Sequence, residues 1–182
     1  NHGLIRDRSS FENDVHAFDN EGLPNPWYYE MAEPGFNYRA SDIHCSLGLS
    51  QLRKLSRFVA ARQELAAYYD EHLSSFAPTI RPLSQSETCI PAWHLYVVHI
   101  DFRDLGLTRS NVMRLLRAEG IGTQVHYLPL HMQPYYRQRY GAQTLHGAES
   151  FYESALTLPL FPGMTMQDVD RVVEALRGIL WP

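Results

Sequence analysis

Asn37 and Arg39 stand two residues apart, and they offer an amide donor and a fork of charged N–H groups. Their segment opens with Pro34-Gly35, which breaks the preceding structure because one residue lacks a backbone donor and the other takes unusual dihedrals. Ser41 or Asp42 can accept hydrogen bonds from the free N–H groups of the next turn, so a helix is predicted to begin there with a partly positive end. An amide, a guanidinium and a helix N-terminus at one corner are groups that hold a phosphate. The same residues also suit a plainer arrangement, with Asn37 capping a turn and Arg39 paired to a surface carboxylate. His126 and Tyr127 form a second pair, ending a predicted strand over 121–127 and leading into a proline-containing loop. Side chains at such a place often project into a cleft, although the two rings could equally close a core. Nine histidines raise the question of a metal. His126 and His131 are too far apart for tight chelation, and His44-Cys45 has no third ligand near it, so no metal site is predicted.

These residues need elements to position them. Residues 9–35 are polar and turn-rich, and they predict an excursion with one short strand over 27–31 that needs something to lie on. Helical spacing dominates 42–74. At about 100° per residue, Leu55, Phe58, Val59, Leu65, Ala66, Tyr69 and Leu73 fall within an arc of roughly 120°. Arg62 falls inside that arc, which predicts a bend or a change of packing partner near the middle of one helix about 50 Å long that bridges two bodies. Residues 78–91 read as a loop and 93–100 as a buried strand. A helix is predicted over 107–119, capped by Thr108 or Ser110 and stopped by Gly120. A shorter helix over 147–156, a possible short strand and a final helix after Thr165 complete the order, the last with Asp168 three residues on and Val169, Val172, Val173, Leu176 and Leu180 on one face. The expected architecture is α/β, with helices on one side of a small sheet.

The 182 residues suffice for one domain or one and a fraction. A formal net charge of -4 gives no electrostatic case for nucleic acid or an anionic membrane surface. No apolar run approaches the roughly 20 residues that span a bilayer, and there is no signal-peptide pattern, so a cytoplasmic protein is expected. Cys45 and Cys89 are too few for a disulfide framework and predict free, buried thiols. Lys54 is the only lysine; the other basic residues are arginines. The opening Asn1-His2-Gly3-Leu4-Ile5-Arg6 reads as the interior of a longer protein.

Several motifs in order carry a resemblance. Gly35-Phe36-Asn37-Tyr38-Arg39, the stretch from Asp42 to Gly48 and Gly48-Leu49-Ser50-Gln51-Leu52 resemble the signature of the DegT-type sugar-nucleotide aminotransferases, which depend on pyridoxal phosphate. His2-Gly3 with Arg6, and Val125-His126-Tyr127-Leu128-Pro129-Leu130-His131, are similar to further family motifs. Trp27-Tyr28-Tyr29-Glu30-Met31, Glu149-Ser150-Phe151-Tyr152 and Leu158-Pro159-Leu160 resemble the branch acting in pseudaminic acid synthesis, and hence the making of cell-surface polysaccharide. The similarity covers nearly the whole chain.

The resemblance implies a fold-type I aminotransferase, with residues 1–50 the tail of its large cofactor-binding domain and 51–182 its small C-terminal domain with the bridging helix. It implies transfer of an amino group from L-glutamate to a nucleotide-linked 4-keto-6-deoxy sugar in a homodimer whose sites cross between subunits. Asn37 would then reach the cofactor phosphate of the neighbouring subunit, and Arg39 a substrate phosphate or the donor's carboxylate. His126 and Tyr127 would hydrogen-bond the sugar and its diphosphate. The chemistry needs an amine that forms a Schiff base. In the family that lysine lies upstream of the segment matching His2-Gly3, whereas Lys54 sits on the bridging helix with its stem over apolar surface. This chain alone is therefore expected to be inactive. Two rivals stay open: a non-catalytic dimerisation or regulatory module of the same fold, and a sugar dehydratase of the family in which a histidine replaces the lysine.

Overall fold

The computed structural model describes residues 3–12, 14–86 and 88–181 and divides the chain into two units, 1–53 and 54–182. In the first, β1 (Leu4–Ile5) is followed by α1 (Asp14–Ala17) and pairs antiparallel with β2 (Glu30–Met31), Leu4 opposite Met31. Gly3 takes a positive φ of 76°. A side-chain carbon there would collide with the Glu33 carbonyl, so only glycine permits this approach. His2 of the same motif lies outside the described residues. The excursion folds back through an Asx turn, in which Asp19 Oδ1 accepts from the N–H groups of Glu21 (2.9 Å) and Leu23 (2.8 Å). Asn25 seals it, donating from its amide to the His16 carbonyl at 2.8 Å. The Phe11 ring stands edge-on to Tyr28 at 5.0 Å.

The first unit ends in α2 (Asp42–Leu52), where Ser41 is the cap, its Oγ accepting from the His44 N–H at 3.4 Å. No α2 residue is buried, and Ile43, Leu47, Leu49 and Leu52 are all exposed. Cys45 and Cys89 are free and exposed rather than buried, one on this uncovered helix and the other in the loop before β4.

The predicted single helix over 42–74 is two helices. A turn at Arg53 and Lys54 separates α2 from α3 (Leu55–Leu73), with Lys54 at φ −98° and ψ −8°, displaced from ideal helical values. Leu49, Leu52, Leu55 and Phe58 keep a spacing of three across this turn and no proline marks it, so the pattern alone joins the two. The break falls before Arg62, where a bend or a change of packing partner is expected. Arg62 instead stays within α3, its Nε buried without a partner among the described residues.

The second unit is built on a three-stranded antiparallel sheet of β3 (Ile80–Pro82), β4 (Tyr96–Ile100) and, later in the chain, β5 (Ala155–Leu158), in the order β3-β4-β5. Ile80 pairs with Ile100, and Tyr96 with Leu158. Between the last two strands come α4 (Arg109–Ala118), α5 (Pro134–Tyr140) and α6 (His146–Ser154), and α7 (Met166–Leu180) ends the unit. Ile80, Tyr96, Val98, Ile100, Leu156 and Leu158 present one sheet face to Leu65, Tyr69 and Leu73 of α3, Val112 and Leu116 of α4, and the apolar face of α7. The rings of Tyr69 and Tyr96 stack at 4.6 Å. Their hydroxyls donate to the Pro159 carbonyl (3.1 Å) and to Asp70 Oδ1 (2.6 Å), so neither buried phenol is left unsatisfied. Burial is the first cause raising both phenols above their ordinary pKa.

The helix ends follow the sequence. Thr108 caps α4, accepting from the Asn111 N–H at 3.2 Å. Gly120, at φ 75°, closes α4, with Ile121 N–H donating to the Leu116 carbonyl (2.8 Å) and Gly120 N–H to that of Arg117 (3.0 Å). Thr165 and Asp168 form a reciprocal capping box on α7.

Other expectations are corrected. Helices are not confined to one side of the sheet, because α6 lies on the opposite face, with Phe151 edge-on to the His99 ring at 5.0 Å. The loop expected over 78–91 contains β3, and α5 begins at an unremarked Pro134, a residue pre-set for a first turn. The strand expected over 121–127 is a single bridge of Gln124 to Thr157. An antiparallel ladder would next pair 122 with 159 and 126 with 155. Pro159 has no N–H to give, and the Ala155 carbonyl already accepts from the Arg109 guanidinium at 3.2 Å.

Candidate functional site

The first unit holds Asn37 and Arg39 in an irregular segment between Pro34 and the Ser41 cap, all of it exposed. The rings of Phe36 and Tyr38 stack at 5.2 Å and 12°. The stack puts Phe36 and Tyr38 together on the segment that also carries Asn37 and Arg39. Among the described residues neither has a hydrogen-bond or ion-pair partner, so Asn37 caps no turn and Arg39 meets no carboxylate. Ser41 is occupied, capping α2 and lying 2.8 Å from His44 Nδ1.

The second unit holds His126 and Tyr127 just past the Gln124 bridge. The peptide between them is cis, and their rings meet edge-on at 4.6 Å. His126 is half-buried and its Nδ1 lies 2.8 Å from Thr157 Oγ1, while Tyr127 is 73% exposed and closes no core. Thr157 also exchanges both main-chain hydrogen bonds with Gln124, at 2.8 and 3.2 Å. One residue of β5 thus ties down the whole approach to the His126-Tyr127 pair. Sequence reasoning passes over Thr157, because its partners are some thirty positions away and no local pattern marks it.

The loop after Tyr127 is anchored by His131, whose side chain is 7% exposed and whose Nε2 lies 2.9 Å from Glu149 Oε1. Glu149 sits below the ordinary carboxylate range, first because the Leu145 N–H donates to it and then because of His131. That contact makes His131 a structural anchor of the loop. Among the described residues no three His, Cys, Asp or Glu side chains gather. Lys54 stands at the N-cap position of α3, half-buried and making no capping bond from its side chain.

The outer face of the sheet carries two depressions of about 640 and 500 Å³ that share Arg81, Ser150 and Ser154. His99 lines the second, its Nδ1 2.7 Å from Ser154 Oγ, and burial followed by the Arg81 charge holds its pKa below the ordinary imidazole value. Neither depression includes His126 or Tyr127.

Comparison with known proteins sets these regions in a family. Residues 4–177 match the model of the DegT/DnrJ/EryC1/StrS aminotransferase family. The chain is 38% identical over 157 residues to the spore coat polysaccharide biosynthesis protein SpsC of Bacillus subtilis (strain 168), covering 85% of this chain and 40% of that protein. Among solved structures, the putative sugar aminotransferase Spr1654 of Streptococcus pneumoniae in its PLP form is similar at 26% identity and a TM-score of 0.75, covering 92% of this chain and 41% of that one. Helicobacter pylori PseC, an aminotransferase involved in pseudaminic acid biosynthesis, shares the fold at 24% identity and a TM-score of 0.79, covering 98% and 43%. The chain therefore spans less than half the length of these relatives. Across that span the match runs nearly end to end, and the chain belongs to the DegT/DnrJ/EryC1/StrS aminotransferase family.

Proposed function

We propose that this chain is the C-terminal part of a pyridoxal-phosphate-dependent aminotransferase that moves an amino group from L-glutamate to a nucleotide-linked 4-keto-6-deoxy sugar. The reading rests on one observation above the family match: Asn37 and Arg39 lie in one exposed segment with their donors unengaged by the described chain. That donor set suits a phosphate. It does not suit the cofactor's aldehyde, since the one lysine stands at the turn before α3 and is not part of this segment. The amine that binds the cofactor covalently would then come from outside these 182 residues, and the chain alone would be inactive.

Pyridoxal phosphate, when bound, supplies the electron sink that lets an amino group pass between two carbonyl compounds. Asn37 holds its phosphate across a homodimer interface, and Arg39 orients the sugar nucleotide or the donor carboxylate by a charge-assisted bond. His126 and Tyr127 hydrogen-bond the sugar and its diphosphate. In this reading residues 1–50 close the large domain and 51–182 form the small one. The enzyme works in the cytoplasm, in keeping with the lack, among the described residues, of a helix long and apolar enough to cross a membrane.

The test uses the enzyme that contains this chain. Incubation with L-glutamate and a UDP-linked 4-keto-6-deoxy sugar should release 2-oxoglutarate, and Asn37→Ala should weaken pyridoxal phosphate binding about tenfold or more by loss of a bond to a charged group. Failure to turn over any nucleotide keto sugar would sink the assignment.

A further inference from the structure

We propose that Thr157 is a positioning residue that fixes the tautomer of His126, so that the imidazole meets an anionic diphosphate with an N–H rather than a lone pair; this rests on His126 being a substrate contact. Thr157 is 6% exposed, and its main-chain groups are taken by Gln124. Among the described residues its hydroxyl has a single partner, His126 Nδ1 at 2.8 Å. A buried hydroxyl that does not donate forfeits the hydrogen bond it made to water, and a neutral imidazole has one acceptor nitrogen. Thr157 therefore donates to Nδ1, and the ring proton resides on Nε2. Phosphate oxygens accept and never donate when ionised, so an Nε2–H attracts them where the opposite tautomer would present a lone pair and repel them. The bridge to Gln124 keeps this arrangement rigid. The hydroxyl belongs to one residue of that bridge and the ring lies two positions past the other, so the bridge holds the two backbones that carry the contact.

The experiment again uses the enzyme that contains this chain, labelled with nitrogen-15 histidine and observed by long-range proton–nitrogen correlation about two pH units above the ordinary imidazole pKa. The His126 ring should show the Nε2–H pattern. Thr157→Val, which keeps the shape and the backbone bridge, should give a mixture of tautomers and raise KM for the nucleotide sugar about tenfold with kcat within about twofold, as loss of a binding contact does. Thr157→Ser should restore both. An Nδ1–H pattern in the unaltered enzyme overturns the proposal. So does an unchanged KM in Thr157→Val while His126→Ala raises it, or a Thr157→Val defect that tracks a fall in Tm and is not rescued by serine. If His126→Ala itself leaves KM unchanged, the substrate role of His126 falls instead, and the tautomer pattern of Thr157→Val separates that failure from this one.

Discussion

The two units reach their secondary structure by different means. Among the described residues of 1–53 only Ala17 is buried, whereas in the second unit α3, α4 and α7 close over a continuous sheet face. The eleven residues of α2 rest on the Ser41 cap and the acidic Asp42 of its first turn, and helices of that length are marginal in water without packing. The fifteen residues of α7 have both a capping box and five buried apolar side chains. Local signals suffice to start a helix, and burial decides whether it resists melting.

That contrast can be broken at several points. Leu176→Ala should cost about 2–5 kcal/mol of unfolding free energy, by lost transfer energy plus a cavity, in urea denaturation of this chain. A cost below about 1 kcal/mol would mean that the α7 face is not the core. Thr165→Ala removes one side of the capping box and should cost about 1 kcal/mol, most visibly as a lower Tm. Asp168→Asn addresses the other side through pH. Asp168 is held below its ordinary pKa, first by the Thr165 backbone N–H and then by its hydroxyl, and Glu149 is lowered by its own bonds. A depressed folded pKa stabilises above the unfolded value and loses that contribution as pH falls through the folded one. Tm should therefore decline below about pH 4, and Asp168→Asn should flatten the decline. The smallest effect belongs to the first unit, where Leu47→Ala on α2 should change stability by no more than about 0.5 kcal/mol. A cost like that of Leu176→Ala would reveal that α2 is covered in solution.

What the sequence discloses follows the same division between local and distant causes. Thr108, Gly120 and the Thr165/Asp168 pair announce their helix ends within a few residues, and each does what its chemistry dictates. The strand expected over 121–127 fails for reasons no window contains, since Pro159 and Arg109 limit it from thirty-odd and fifteen or so residues away. The turn at Arg53 and Lys54 is invisible because Leu52, Leu55 and Phe58 keep a spacing of three through it and no proline marks it. At the candidate site, Asn37, Arg39, His126 and Tyr127 stand out by type and position. The groups that hold His126 and His131, Thr157 and Glu149, become legible only when distant strands and helices are brought together.

The single bridge beside β5 also bears on the solubility of the unit. A three-stranded sheet has two open margins, and an open margin is a template on which another chain can add a strand. One margin here is β3, three residues long, carrying the charge of Arg81 and ending in a proline that cannot donate. At the other, Thr157 is already paired, the Ala155 carbonyl is taken by Arg109, and the next residue along the same edge is Pro159. Two prolines and two guanidinium groups thus stand where a runaway stacking of sheets would have to begin, leaving this unit a poor seed for fibrils.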